Sequence, residues 1–316
     1  VQEEDLGRIE DGAVVFSEKK VRGKWVPGKI EWVGCSKELP SRFKRFKAVN
    51  LKNRHAVVPG LVDCHNHLVF AGDRAAEFAE RCGGATYEEI AARGGGISTT
   101  VTATRKASEE ELLKLGRERI SELTSFGVQT FEIKSGYGLT HESELRILKV
   151  AAKLRAEYPE YAIHLTYLGA HAFPKEQSRE AYLAEILGKT LPEIARRKLA
   201  DSCDVFVDRG YYTLVEGEEI LRQAKSLGLA VRLHADELAN TESASLAVRL
   251  EALSADHLLQ VSEAGVKALG QSKTVAVLLP GTAFYLKAAH APARKLMEAG
   301  AVVALATDYN PGTCVT

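Results

Sequence analysis

The chain has 316 residues, with 42 lysines and arginines against 42 aspartates and glutamates and a formal net charge of zero. That length can bury the core of one α/β barrel or of two smaller domains, and the balanced charge, without basic or acidic blocks, argues against a nucleic-acid, membrane or polyanionic partner. No apolar run approaches the roughly 20 residues of a spanning helix and no signal-peptide pattern opens the chain, while five scattered cysteines, at 35, 64, 82, 203 and 314, form no CxxC and predict reduced thiols in a cytoplasmic protein.

The first two alternations, Ala13-Val14-Val15-Phe16 and Lys29-Ile30-Glu31-Trp32-Val33-Gly34, read as short antiparallel strands with turn residues around Pro27-Gly28. Residues 1–56 are therefore expected to form the N-terminal part of a small β domain. The chain opens on Val1, which reads as a trimmed N-terminus.

From Val57 the pattern changes to apolar strands alternating with longer helical segments, the sign of a parallel sheet. Candidate strands begin at Val57, Val128, Ile163, Val205, Ala230, Ala252, Thr274 and Val302. Thr86-x-x-Glu89, Ser108-x-x-Glu111 and Thr213-x-x-Glu216 fit the capping box, in which hydroxyl and carboxylate satisfy the free N–H groups of a helix start. Gly228 is a helix stop. Eight βα units predict a (β/α)₈ TIM-type barrel over residues 57–316, with its active site at the C-terminal ends of the strands. His65, His67, Lys134, His171, His234, His257 and Asp308 all lie at or just past such ends. An open doubly wound sheet lacks its G-x-G-x-x-G after the first strand.

The densest chemistry lies in Asp63-Cys64-His65-Asn66-His67, which ends the run Val57-Val58-Pro59-Gly60-Leu61-Val62. A period of two puts His65 and His67 on one face and Cys64 on the other, so the two imidazoles can chelate a divalent metal while Cys64 packs. His234 as a third ligand and Asp308 as an anionic one leave a position open for water, which suits a catalytic site better than a structural one. Glu237 can move a proton between water and a leaving nitrogen. His257 can hold the water or steady an oxyanion, and Asp308 can also accept a proton. Each has a plainer reading, Glu237 as a helix-start carboxylate and Asp308 as an Asx turn; their joint placement favours chemistry. His55, His141, His164 and His290 read as ordinary hydrogen-bonded residues. Arg93-Gly94-Gly95-Gly96 reads as an anion nest or a helix terminator. Tyr137 in Lys134-Ser135-Gly136-Tyr137-Gly138 can donate to a substrate or simply belong to a turn.

These segments resemble the imidazolonepropionase family of the amidohydrolase superfamily, enzymes of histidine degradation. The resemblance runs from about Val57 to Gly312. It is carried by Pro-Gly-Leu-Val-Asp-x-His-x-His-Leu-Val-Phe (59–70), Gly-Gly-Gly-Ile (94–97), Lys-Ser-Gly-Tyr-Gly-Leu (134–139), Gly-Ala-His-Ala (169–172), His-Ala-Asp-Glu (234–237), Ser-Ala-Asp-His-Leu (254–258), Leu-Leu-Pro-Gly-Thr-x-Phe-Tyr-Leu (278–286) and Ala-Thr-Asp-x-Asn-Pro-Gly (306–312). HxH marks only the superfamily; the 134–139 and 280–286 strings are more specific. The resemblance implies hydrolysis of 4-imidazolone-5-propanoate to N-formimidoyl-L-glutamate. It implies one zinc or iron on His65, His67, His234 and Asp308, and substrate contacts from Arg74, Tyr137, His171, Glu237, Asn310, Gly312 and Thr313. Arg74 suits the propionate, which a guanidinium pairs bidentately.

Many superfamily members bridge two metals through a lysine of the fourth strand, but Cys203-Asp204-Val205-Phe206-Val207-Asp208 has none. One metal per chain is therefore expected. The expected partner is a small-molecule substrate, with no nucleic acid and no membrane; a homodimer is compatible with the sequence. Family members continue past the eighth strand into a last helix and the strands completing the small β domain, whereas this chain stops at Thr316. The expectation is a fragment lacking the C-terminal part of the fold, inactive if truly truncated. Position 313 is Thr where Ser is common, which keeps the hydroxyl. Competing readings are an aminohydrolase acting on a nucleobase-like ring, which would not call on Arg74, and a barrel kept as an assembly module, which would have lost its histidines.

Overall fold

The computed structural model describes residues 7–21, 23–52, 54–85, 89 and 94–314. It divides into two compact units, residues 1–59 with 158–160 and residues 60–157 with 161–316. The division at Pro59/Gly60 falls slightly beyond the 56/57 boundary expected from the sequence.

In the smaller unit, β1 (Gly12–Val21) and β2 (Lys24–Cys35) pair antiparallel. Exposure alternates along the first part of β1, as the period of a half-covered strand requires. The chain reverses between Val21 and Lys24, not around Pro27-Gly28. Pro27 lies inside β2 opposite Glu18, beside a register shift between Phe16 and Glu18. A residue without an N–H is tolerated where the ladder is already irregular, so Pro-Gly marks a bulge there and not the turn.

The larger unit contains eight parallel strands in sequential order: β3 (Leu61–Asp63), β4 (Val128–Lys134), β5 (Ala162–Ala170), β6 (Ser202–Val207), β7 (Ala230–Ala235), β8 (Ser254–His257), β9 (Val275–Leu278) and β10 (Val303–Leu305). Each candidate strand of the sequence has its counterpart. β3 is shorter than expected, because its ladder starts where Leu61 pairs with Val128. β6, β7 and β8 are buried along nearly their whole length, which is why they read as apolar runs without clean alternation.

Helices fill the returns. Ser108 caps helix Glu109–Ser125 by accepting from the Glu111 N–H at 3.1 Å. Thr213 and Glu216 form the full reciprocal box at the start of Leu214–Ser226, and Gly228 follows that helix with φ +86°. The box expected from Thr86 lies outside the described residues, as does Arg93. Gly96 opens helix Ile97–Lys106, and its N–H is taken by the Glu77 carboxylate at 2.9 Å. Among the described residues no helix is long and apolar enough to cross a membrane.

The sheet closes on itself just beyond the strand ends. Asn66 and Tyr309 form a parallel bridge. The His67 N–H donates to Tyr309 O at 2.9 Å and the Asp308 N–H to His65 O at 3.0 Å. Asp63 fastens the same seam: its carboxylate accepts from the Thr307 N–H at 2.9 Å and the Thr307 hydroxyl at 2.8 Å. The first residue of the five-residue motif therefore joins the first barrel strand to the last.

Candidate metal centre and substrate pocket

That seam sets three of the site residues side by side, His65 and His67 from the first strand end and Asp308 from the last. Asp308 Oδ1 lies 3.5 Å from Nε2 of both histidines, and its Oδ2 accepts from Thr282 Oγ1 at 2.6 Å. His234 arrives from the end of β7. One nitrogen of each of His65, His67 and His234 can meet within 4.8 Å of one another, and all three residues are buried. The strand-alternation argument from sequence thus has its counterpart in space, although the regular strand ends at Asp63. Cys64 lies apart from this group, its Sγ 3.9 Å from Leu305 O.

Two of the imidazoles are held from behind. His65 Nδ1 lies 2.6 Å from Asp256 Oδ2, and His234 Nδ1 lies 2.9 Å from Asp204 Oδ2. An imidazole that gives its Nδ1–H to a carboxylate, as His65 does, turns the Nε2 lone pair the other way, which is the usual support of a metal-bound histidine. His234 is held at Asp204 by the ion-pair contact and by its main-chain N–H, which donates to Asp204 Oδ1 at 3.1 Å. Sequence inspection missed both aspartates, since nothing in strand periodicity pairs residues of β6 or β8 with a histidine elsewhere.

The donor set fits a divalent cation. His65 Nε2 and His67 Nδ1 are buried without a hydrogen-bond partner, a state that costs on the order of 1–3 kcal/mol per group unless something else takes the lone pair or proton. Burial holds the His65 imidazole well below its ordinary pKa and lowers that of His67, which favours the neutral ring a metal would need. Burial opposes ionisation of Asp204 and Asp308, but His234 with Lys134 and His67 with His257, respectively, outweigh it and hold both carboxyls low. The Asp204 carboxylate outweighs burial at His234 and raises that imidazole's pKa. Three imidazoles and one carboxylate make a mixed N/O set suited to zinc or iron.

The remaining expected residues line a cavity of about 510 Å³ above this group. Arg74, Tyr137, His171, Glu237, His257, Asn310 and Thr313 all face it. Burial, with the Asp308 carboxylate nearby, pushes the Glu237 carboxyl up to about 8. Burial pushes His257 down to about 3, and its Nδ1 sits 3.5 Å from Glu237 Oε1. His171 stacks on His67 with ring centroids 5.2 Å apart, and its Nδ1–H donates to Gly136 O at 3.1 Å. Tyr137 lies 5.5 Å from the His67 ring.

Gly312 is not among the lining residues; it lies against Arg74, where a side chain would collide with the guanidinium. Its N–H donates to Asn310 Oδ1 at 2.8 Å, and Arg74 Nη2 donates to the same oxygen at 3.4 Å. Arg74 Nε is buried without a partner, so the guanidinium retains a donor. Arg81, which the sequence did not single out, donates to Gly312 O at 2.8 Å.

Three side chains hold the loops. Glu144 accepts from the N–H groups of Gly136, Gly138 and Leu139 at 3.0, 2.7 and 2.8 Å, fixing the loop that carries Tyr137. Asp208 accepts from Glu237, Leu238 and Ala239 N–H at 2.9, 2.8 and 3.1 Å, fixing the turn that carries Glu237. Arg119 donates to Leu68 O and Phe70 O at 2.7 and 2.6 Å, tying down the chain that leaves His67.

No family model matches the chain. Curated relatives do. The imidazolonepropionase of Bdellovibrio bacteriovorus is 44% identical over 320 residues, covering 100% of this chain and 72% of that protein. That of Clostridium tetani is 43% identical, covering 99% and 73%, and one from Shewanella sp. (strain ANA-3) is 46% identical, covering 90% and 71%. Among solved structures, a 5-methylcytosine deaminase from Klebsiella pneumoniae liganded with phosphonocytosine superposes with a TM-score of 0.64 at 15% identity, over 97% of this chain and 75% of that one. A guanine deaminase from C. acetobutylicum with bound guanine gives 0.61 at 14%, over 96% and 76%. An adenosine deaminase from Xanthomonas campestris with bound zinc gives 0.55 at 18%, over 81% and 57%. At these identities the structures speak for the shared barrel alone.

Proposed function

The chain belongs to the imidazolonepropionase family of the amidohydrolase superfamily, and from that premise we propose that it opens the imidazolone ring of 4-imidazolone-5-propanoate by hydrolysis, with one divalent metal per chain. The product is N-formimidoyl-L-glutamate. The observation that carries the reading is the meeting of His65 and His67 from the first strand end with His234 from β7, with His65 Nε2 and His67 Nδ1 buried and unpartnered, beneath a cavity that also holds Arg74 and Glu237.

His65, His67, His234 and Asp308 would hold the metal. When bound, a divalent cation supplies Lewis acidity and brings the pKa of water from about 15.7 toward 7. Glu237 takes the proton of the attacking water; a carboxyl raised by burial is a strong enough base for this and still returns the proton. The water oxygen adds to the ring carbonyl carbon, the bond from that carbon to its ring nitrogen breaks, and Glu237 gives the proton to the departing nitrogen. His257, neutral because it is buried, orients the water by hydrogen bonding. Arg74 pairs with the propionate, and Tyr137 and His171 contact the ring. Asn310, Gly312 and Thr313 form the wall that sets Arg74. Thr313 Oγ1 accepts from Asn310 Nδ2 at 2.7 Å, a contact that needs only the hydroxyl that Thr shares with Ser.

The single-metal assignment rests on β6, which offers no lysine to bridge a second ion. The lysine nearest the centre, Lys134 of β4, is already committed to Asp204 at 2.6 Å. Zinc and iron both suit the ligand set. A reducing cytoplasmic setting fits the five cysteines, all of them free thiols.

The test is hydrolysis of 4-imidazolone-5-propanoate with metal content measured on the same sample, and with guanine and cytosine as competing substrates. Turnover of the imidazolone with about one metal per chain is the expected result. Turnover of a nucleobase in its place, or two tightly held metals, would overturn the assignment.

A further inference from the structure

We propose that Lys134 is the positioning residue of the metal site, a buried ammonium that draws together the two carboxylates which orient His65 and His234. The inference rests on the metal-site reading above and concerns a residue that touches neither metal nor substrate.

Lys134 is wholly buried in the barrel interior. Its Nζ lies 2.6 Å from Asp204 Oδ2 and 3.6 Å from Asp256 Oδ2. Those are the same two oxygens that face the ligands: Asp204 Oδ2 is 2.9 Å from His234 Nδ1, and Asp256 Oδ2 is 2.6 Å from His65 Nδ1. One ammonium therefore stands behind two of the three histidines, through one shared oxygen each. Its main chain reaches the third direction of the site. The Lys134 N–H donates to Asn66 O at 2.9 Å, the peptide between His65 and His67.

The charge count explains why a cation is needed at that point. Glu132, Asp204 and Asp256 are three buried carboxylates around Lys134. Arg232 is the second cation of the cluster, 3.3 Å from Glu132, and it is spent on Glu132, Cys64 O and Ser254. Without Lys134, Asp204 and Asp256 lose the cation they share and keep only the charge of Arg232, which acts on both but is bonded elsewhere. Two like charges repel strongly at short range in such surroundings, and each would carry its histidine with it. A lysine that only balanced charge could sit anywhere in the cluster; this one contacts the two oxygens that set ring orientation.

The experiment compares the full chain with Lys134→Met and with the double variant Glu132→Gln/Lys134→Met, which removes a carboxylate along with the cation. Each is stripped with a chelator, checked by circular dichroism, titrated with zinc, and separately loaded with cobalt(II) to read the visible ligand-field bands. The expected result is a folded double variant whose zinc affinity is lower by about 10- to 100-fold, the usual cost of losing an outer support, with altered cobalt bands. A folded variant with wild-type zinc affinity and unchanged bands would overturn the role of Lys134. Failure of both variants to fold would overturn it too, making the lysine a requirement of the barrel and not of the ligands. A wild-type chain that takes up no zinc or cobalt would remove the site reading itself, which separates that failure from this one.

Discussion

A methyl group on Gly312 would occupy the place of the Arg74 guanidinium, the movable end of a long side chain, and push it aside. Gly312→Ala should therefore act like a change of Arg74. We expect both Gly312→Ala and Arg74→Ala to raise KM chiefly and to leave kcat within a few-fold, since the propionate contact is remote from the bond that breaks. Steady-state kinetics on the imidazolone check this; a loss in kcat alone would place Arg74 at the reacting centre. Glu237→Gln should do the opposite. It should keep one metal by elemental analysis and lose about 10²- to 10⁴-fold in kcat, the usual worth of a positioned proton-transfer group. Loss of metal would make Glu237 a ligand. The sequence showed these residues as letters near strand ends, and HxH, Glu237 and Asp308 were legible because strand alternation and the strand-end rule act locally. Arg74, Asn310 and Gly312 acquired roles only through family resemblance, because their mutual contact spans the whole barrel.

At the scale of elements, the clearest signals were the helix caps. Thr213 and Glu216 form the reciprocal box, and Glu216 is gripped, from the start of the earlier helix Arg179–Glu185, by Arg179, whose Nε donates at 2.5 Å. The Arg179 contact, with the Thr213 bonds, brings the Glu216 carboxyl down to about 2 from an ordinary 4.5. A carboxyl lowered in the folded state stabilises fully above 4.5, and that contribution fades as the pH falls from there toward 2. Glu216→Gln should lower Tm by a few degrees at pH 7, and the gap from wild type should narrow progressively below pH 4.5. A gap independent of pH would mean that the cap, not the charge, is what the substitution removes. Less legible were elements whose reason lies in a partner. Pro27-Gly28 looked like a turn because the pair usually is one; the register of β1 against β2 makes it a bulge. Lys134 looked like a site residue because it ends a strand, but it points into the interior toward carboxylates on two other strands.

At the scale of the molecule, β4 to β9 were readable because most of their residues are buried between helices and the barrel interior, giving apolar runs of strand length, while β3 and β10 read the same way although Leu61, Val62 and Leu305 are exposed. What the sequence could not display was the polar interior. Glu132, Lys134, Asp204, Arg232 and Asp256 stand on four strands and find each other only when the sheet closes. A ligand that joins elements from both ends of the barrel should also stabilise the whole. Metal removal is expected to lower Tm, by about 4 kcal/mol of stability where free metal had stood at a thousand times its Kd. Thermal melts before and after chelation, with metal restored as the control, measure it; an unchanged Tm would mean that the centre contributes nothing to the fold.

The Asp63–Thr307 clasp joins residues 244 positions apart. On a ribosome, Asp63, His65 and His67 are made long before Thr307 and Asp308 exist. The two early histidines therefore wait, unclosed, through the synthesis of every intervening strand. The complete four-residue group cannot form until the last of those strands has left the exit tunnel, so only a finished barrel presents all four side chains together. A chain stalled before its eighth strand presents only the three histidines and not the carboxylate that faces them.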